Sequence, residues 1–181
     1  MTVLFVSNMQ VGDAGASALA AALGQGALPR LKRLVLYHTA IGDAGLVALA
    51  PALRLQPALE HLDLNHNPFG DEGLAALVAP PPPPPAGAPP PPTGVLAKLK
   101  ELDLGRTQVA DAGCAILAAA LHSGALPALN FLVLACIPAS AKARSAVSRG
   151  FKSQGKTGVW AAGSPRNPNH FHIVFTNNYY S

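Results

Sequence analysis

The chain has 181 residues, of which 50% are hydrophobic and only 12% charged, with a formal net charge of +4. That length suits one domain; no apolar run approaches the ~18 residues of a membrane helix. The opening MTVLFVSNMQ lacks the basic stretch of a secretion signal, and two cysteines, Cys114 and Cys136, cannot build a disulfide framework. A reduced, cytoplasmic protein without cofactor or resident metal is expected.

One segment recurs along the chain. A worn copy, LFVSNMQVGDAGASALAAAL, starts at Leu4. LKRLVLYHTAIGDAGLVALAPAL follows from Leu31, LEHLDLNHNPFGDEGLAALV from Leu59, LKELDLGRTQVADAGCAILAAAL from Leu99, and the start of a fifth, LNFLVLACIPAS, from Leu129. The Gly-Asp pairs at Gly12, Gly42 and Gly70 lie 30 and 28 residues apart, and the next step, to Ala110-Asp111, is 40. Self-similarity at this period marks a solenoid.

Each unit changes its period part-way. The alternation in Leu34-Val35-Leu36 and Leu62-Asp63-Leu64 predicts a short strand with one buried face. After the Gly-Asp turn, Leu46, Leu49 and Leu53 fall at helical spacing, as do Cys114, Leu117 and Leu121. Asp13, Asp43, Asp71 and Asp111 each precede such a stretch. In that position a short carboxylate is expected to cap the first turn of its own helix, with Gly12, Gly42 and Gly70 permitting the turn. One strand-turn-helix unit cannot bury its apolar stripe alone, so neighbours must stack.

The long step holds PPPPPPAGAPPPP at residues 80–92. Proline runs favour polyproline II and cannot join a sheet ladder, so an exposed loop is expected there. It reads as a tolerated insertion or as a ligand for a proline-binding module. The repeat fades after Ser140, although Ala141 to Arg149 has the pattern of one more short helix. Residues 141–181 are expected to be a basic, poorly ordered tail. All nine acids lie at or before Asp111, while six of the thirteen Lys and Arg lie from Lys142 onward; the repeats therefore carry −2 and the tail +6. No recognition signature accompanies the tail's basic and aromatic residues, which speaks against nucleic acid. The first unit starts within its strand with no cap ahead of it, so the native protein is expected to be longer or to have that end covered.

The 28–30 residue length, the L-x-x-L-x-L-x-x-N pattern (complete from Leu59 to Asn67), the [IVF]-G-D-x-G turn and the L-A-x-A-L helix resemble leucine-rich repeats of the ribonuclease-inhibitor type, as found in NOD-like receptors of the NLRC group and in Ran GTPase-activating proteins. Thr39, Thr107 and Met9 stand where that pattern has asparagine. The resemblance covers residues 1–140, as four to five repeats. It implies an α/β leucine-rich repeat solenoid: a right-handed β-α superhelix, a short horseshoe with a parallel concave sheet and convex helices.

In that frame, pattern positions 3, 5, 7 and 8 look out from the inner face. They are Val3, Phe5, Ser7 and Asn8 in the first unit, and Arg33, Val35, Tyr37 and His38 in the second. The third has His61, Asp63, Asn65 and His66, and the fourth Glu101, Asp103, Gly105 and Arg106. Aromatic, arginine and histidine side chains on a rigid sheet make contact anchors, Tyr37 and Arg106 foremost. With no catalytic constellation in the sequence, the reading is a non-enzymatic protein-interaction scaffold whose concave face takes a partner protein. A Ran-type GTPase activator, with Arg106 as a geometric candidate, and the sensor part of a larger NOD-like receptor are the alternatives.

Overall fold

The computed structural model describes residues 2–78 and 96–154 in full, together with the backbone of two strands, 157–162 and 171–176. Five units alternate strand and helix: β1 (Val3–Phe5), α1 (Gly12–Gly24), β2 (Arg33–Val35), α2 (Asp43–Arg54), β3 (His61–Asp63), α3 (Asp71–Val78), β4 (Glu101–Asp103), α4 (Asp111–His122), β5 (Phe131–Val133) and α5 (Ala141–Ser153). Two more strands follow, β6 (Thr157–Ala162) and β7 (Phe171–Thr176). All lie in one sheet of order β1-β2-β3-β4-β5-β7-β6.

The first five strands are parallel and in strict register, Val3 on Arg33, Arg33 on His61, His61 on Glu101 and Glu101 on Phe131. Pairing outlasts these short strands. The N–H groups of Asn8, His38, His66 and Arg106 donate to the carbonyls of Tyr37, Asn65, Gly105 and Ala135, at 2.7–3.0 Å. The register survives between β3 and β4, although the proline-rich stretch 80–92, which lies outside the described residues, separates them.

The alternating leucines form the core. Leu34, Leu36, Leu62, Leu64, Leu102, Leu104, Leu132 and Leu134 are all buried, against Leu46, Leu49, Leu53, Leu74, Leu77, Leu117 and Leu121 from the helices. Neighbouring strands sit about 4.8 Å apart and packed helices 8–10 Å, so a stack of such units curves with the sheet inside.

The C-terminal part carries the helix expected over Ala141 to Arg149, extended to Ser153, and two further strands. The repeats continue past residue 140: α5 packs on α4 with Val147 and Phe151 fully buried. The backbone of β7 pairs antiparallel with β5 and with β6, continuing the sheet. A lone strand is not stable, but a hairpin added to an existing sheet edge is.

The capping expectation is also corrected. No side chain caps α1, α2 or α4 within its own unit. Each aspartate instead serves the next unit. Asp13 Oδ1 accepts from the Gly42 N–H at 2.7 Å, Asp71 Oδ1 from Ala110 at 2.7 Å, and Asp111 Oδ1 from Ser140 at 2.5 Å. Asp43 Oδ1 accepts from both Gly70 and Gly73. The acceptor still meets the orphan N–H groups of a helix start, one repeat further along. Nor do the glycines all serve as left-handed turn residues. Of Gly12, Gly42 and Gly70, only Gly12 has positive φ, at 59°; a Cβ on Gly42 would lie 3.3 Å from Asp13 Oδ1.

Candidate functional site

The register carries equivalent side chains into rows across the open sheet face. Pattern position 3 reads Val3, Arg33, His61, Glu101, Phe131, and position 5 reads Phe5, Val35, Asp63, Asp103, Val133. The face is open over β1–β4 and closes at β5, where Val133 and Ala135 are buried. Phe5, at 65% exposure, is the largest exposed apolar group on it.

At its centre, His61 Nδ1 lies 2.6 Å from Glu101 Oε2, and the Arg33 guanidinium lies 3.4 Å from His61 Nδ1 and 3.9 Å from Glu101 Oε2. These groups are partly exposed, so their pairing adds little to stability. It orients them across a shallow depression of about 130 Å³, whose lining includes Asp63 and Asp103. Those two carboxylates are tied locally. Asp63 Oδ1 accepts from the Asn65 N–H at 2.9 Å, and Asp103 Oδ1 from the Gly105 N–H at 2.8 Å and from Asn65 Nδ2 at 3.1 Å. Beside the strand starts, Glu60 bridges Lys100 at 2.7 Å and Lys32 at 3.6 Å, and the Lys100 hydrogen bond holds its carboxyl below the usual carboxylate range.

Pattern position 8 behaves differently from the strand. Asn8, His38, His66, Arg106 and Cys136 all have positive φ, between 51° and 60°. That backbone costs a non-glycine residue about 1–2 kcal/mol, and the ladder bonds of the turn impose it. The rings of His38 and His66 stack with centroids 4.3 Å apart, and Tyr37 stands edge-on to both, at 6.1 and 5.9 Å. His38 Nδ1 also lies 3.2 Å from Asn8 Oδ1. Arg106 occupies the next rung and is exposed. Among the described residues, no three His, Cys, Asp or Glu side chains gather to hold a metal ion, and no helix is long and apolar enough to cross a membrane.

Behind this rim, Asn67 holds two repeats together. Its Oδ1 accepts from the N–H groups of Thr39 and Ile41 at 3.1 and 3.0 Å, while its Nδ2 donates to the carbonyls of Leu36 and Leu64 at 2.7 and 3.0 Å. Threonine at that position serves its own turn, Thr39 Oγ1 donating to Leu36 O at 3.0 Å and Thr107 Oγ1 to Leu104 O at 2.8 Å, and the Thr39 hydroxyl also lies 3.1 Å from Asn67 Oδ1.

The Leucine Rich repeat family profile matches residues 28–50, 57–78 and 95–118. These are leucine-rich repeats. The matched stretches carry β2, β3 and β4 with the helices that follow them; the units of β1 and β5 lie outside the matches and join the same parallel sheet. No curated protein matches the chain. Leucine-rich repeat solenoids generally offer their curved sheet as a binding surface.

Sequence reasoning aligned the face residues in the rows they occupy. Position 8 in adjacent repeats brings His38 and His66 close enough to stack; what the pattern missed is Tyr37 standing edge-on to both. It also missed Gln108 and Arg144, which line the loop rim beside Arg106. The rim is set by turn geometry, and the heptad-like spacing of leucines carries no signal for it.

Proposed function

We propose that this chain is a non-enzymatic scaffold that takes a partner protein on the open sheet face of β1–β4. The observation that carries this reading is the alignment of exposed side chains in rows on a backbone held by continuous inter-repeat hydrogen bonds. Phe5, Arg33 and Tyr37 supply the aromatic and arginine anchors that dominate protein interfaces, and His61, Asp63, Asn65, Glu101 and Asp103 supply polar contacts with fixed orientation. The non-enzymatic part is supported by where the hydroxyls go: Ser17, Thr39, Thr107, Ser123 and Ser153 all donate to backbone carbonyls rather than to a base.

The repeats are assigned to the ribonuclease-inhibitor type on their 28–30 residue spacing and Gly-Asp turn. A reduced, cytoplasmic setting accords with two cysteines that are not joined in a disulfide. The test is a quantitative pulldown from cell extract with the wild-type chain, an Arg33→Ala/Tyr37→Ala double variant and an Ile116→Ala variant on the helical side. Proteins lost from the first variant and kept by the second support the face; equal recovery by all three sinks it.

A further inference from the structure

Carboxylates are unevenly placed around the open face of this solenoid. The depression in the strand region has three carboxylates in its lining, Asp63, Glu101 and Asp103. The rim formed by the turns after β2–β5 has none in its two hollows. One, of about 690 Å³, is lined by His66, Arg106, Gln108 and Arg144 together with the apolar Ile137 and Pro138. The other, of about 240 Å³, adjoins it through His66, Arg106 and Gln108 and adds His38. The carboxylate that belongs to α4's first turn, Asp111, accepts from the Ser140 N–H, and the Arg144 and Lys142 charges act on it. It is therefore already engaged. The Arg106 backbone is tied by its N–H to Ala135, while its guanidinium makes no hydrogen bond or ion pair among the described residues and the residue is exposed.

We propose that this trough along the turns after β2–β5 binds an acidic segment of a partner protein, with Arg106 as its principal anchor. The inference deepens the scaffold reading and rests on it. The volume is that of a typical ligand cleft. Four rungs at about 4.8 Å span roughly 14 Å, the length of about four extended residues. A short run of aspartate or glutamate then meets Arg106, Arg144 and the imidazole pair, while its neighbours cover Ile137 and Pro138. A carboxylate on the fork of a guanidinium is a strong charge-assisted contact. Nucleic acid fits less well. Its affinity comes from many neutralised phosphates, and a strand leaving the trough toward the sheet meets Asp63, Glu101 and Asp103.

The test is fluorescence anisotropy of a labelled hexaglutamate peptide titrated with the full chain at low salt, beside a hexalysine peptide and a single-stranded oligonucleotide. Saturable binding of hexaglutamate is expected. It should weaken about tenfold or more with Arg106→Glu and clearly with the near-isosteric Gln108→Glu, and stay unchanged with Arg30→Glu, an exposed cation remote from the trough. Circular dichroism of each variant confirms that it is folded. No saturable binding, equal loss with Arg30→Glu, or tighter binding of the oligonucleotide that the same variants abolish would each overturn the proposal. The pulldown with Arg33→Ala/Tyr37→Ala is read separately, so hexaglutamate binding can fail while the sheet-face reading stands, and the reverse.

Discussion

A Cβ on Gly73 would sit 2.9 Å from Asp43 Oδ1, in the next repeat's helix rather than Asp43's own. The carboxylate occupies the space a side chain would need, and from there it accepts the Gly73 N–H at 2.7 Å and the Gly70 N–H at 2.8 Å. The same crowding recurs at Gly45 with Asp13 and at Gly113 with Asp71. The second glycine of G-D-x-G is therefore a seat for the preceding repeat's aspartate.

Gly73→Ala should destabilise the protein, against the rule that alanine improves a helix by about 1 kcal/mol over glycine. Pushing the carboxylate out leaves two N–H groups without their acceptor, at about 1–3 kcal/mol each if they stay buried; a net loss of about 1–3 kcal/mol is expected in urea unfolding. Asp43→Ala should cost a similar amount. The double variant should cost clearly less than the two together, because the added methyl then enters a vacated space. Strict additivity would contradict the seat.

Asn67→Ala should lose about 3 kcal/mol or more, since it strands the buried N–H groups of Thr39 and Ile41 together with two carbonyls. Asn67→Thr should be milder. A threonine there can serve Leu64 O as Thr107 serves Leu104 O, but it does not reach across to Thr39 and Ile41. Thermal unfolding of the two variants side by side gives the order.

Much of the fold was legible because burial imposes a period. Leu34, Leu62, Leu102 and Leu132 had to share one face, and once they did, the rows through Arg33, His61 and Glu101 followed. What the period does not specify is the distance over which a polar group acts. Asp43 stands before its own helix in sequence, yet its oxygen lies nearest the helix start of the following unit, because stacking brings the two turns together. The approach of His38 to His66 follows from their shared pattern position, but the left-handed backbone that sets it was hidden, at a turn position occupied by Asn, His, Arg and Cys with no glycine to announce it. The strands β6 and β7 carry no repeat signal, and the β7 backbone gains its hydrogen-bond partners on both sides from β5 and β6.

Acid should loosen the C-terminal repeat. The Ser140 backbone N–H, aided by its hydroxyl and by the Arg144 and Lys142 charges, holds the Asp111 carboxyl below its usual range. A carboxyl depressed in the folded state stabilises fully above its unfolded pKa of about 3.9 and loses that contribution as pH falls through the lower folded value. Stability measured from pH 6 down to pH 2 should therefore drop less steeply at the acid end in Asp111→Asn than in the wild type. Parallel curves would remove Asp111 as a contributor.

The two cysteines should differ sharply in reactivity. Burial, with the Asp111 and Asp71 charges adding to it, pushes the Cys114 thiol up to about 11, and its side chain is fully enclosed. The thiolate is the reactive form. Iodoacetamide at pH 8 should label Cys136, which is partly exposed, and should reach Cys114 only after denaturant is added, as read by mass spectrometry of the peptides.

The claim that the sheet face grips a protein is tested most directly by a photo-activated cross-linking side chain placed at position 37 on that face or at position 116 on the helical side, in cells expressing the full chain. The account predicts covalent protein adducts from position 37 and little or none from position 116. Adducts from position 116 alone, or from neither, would contradict it.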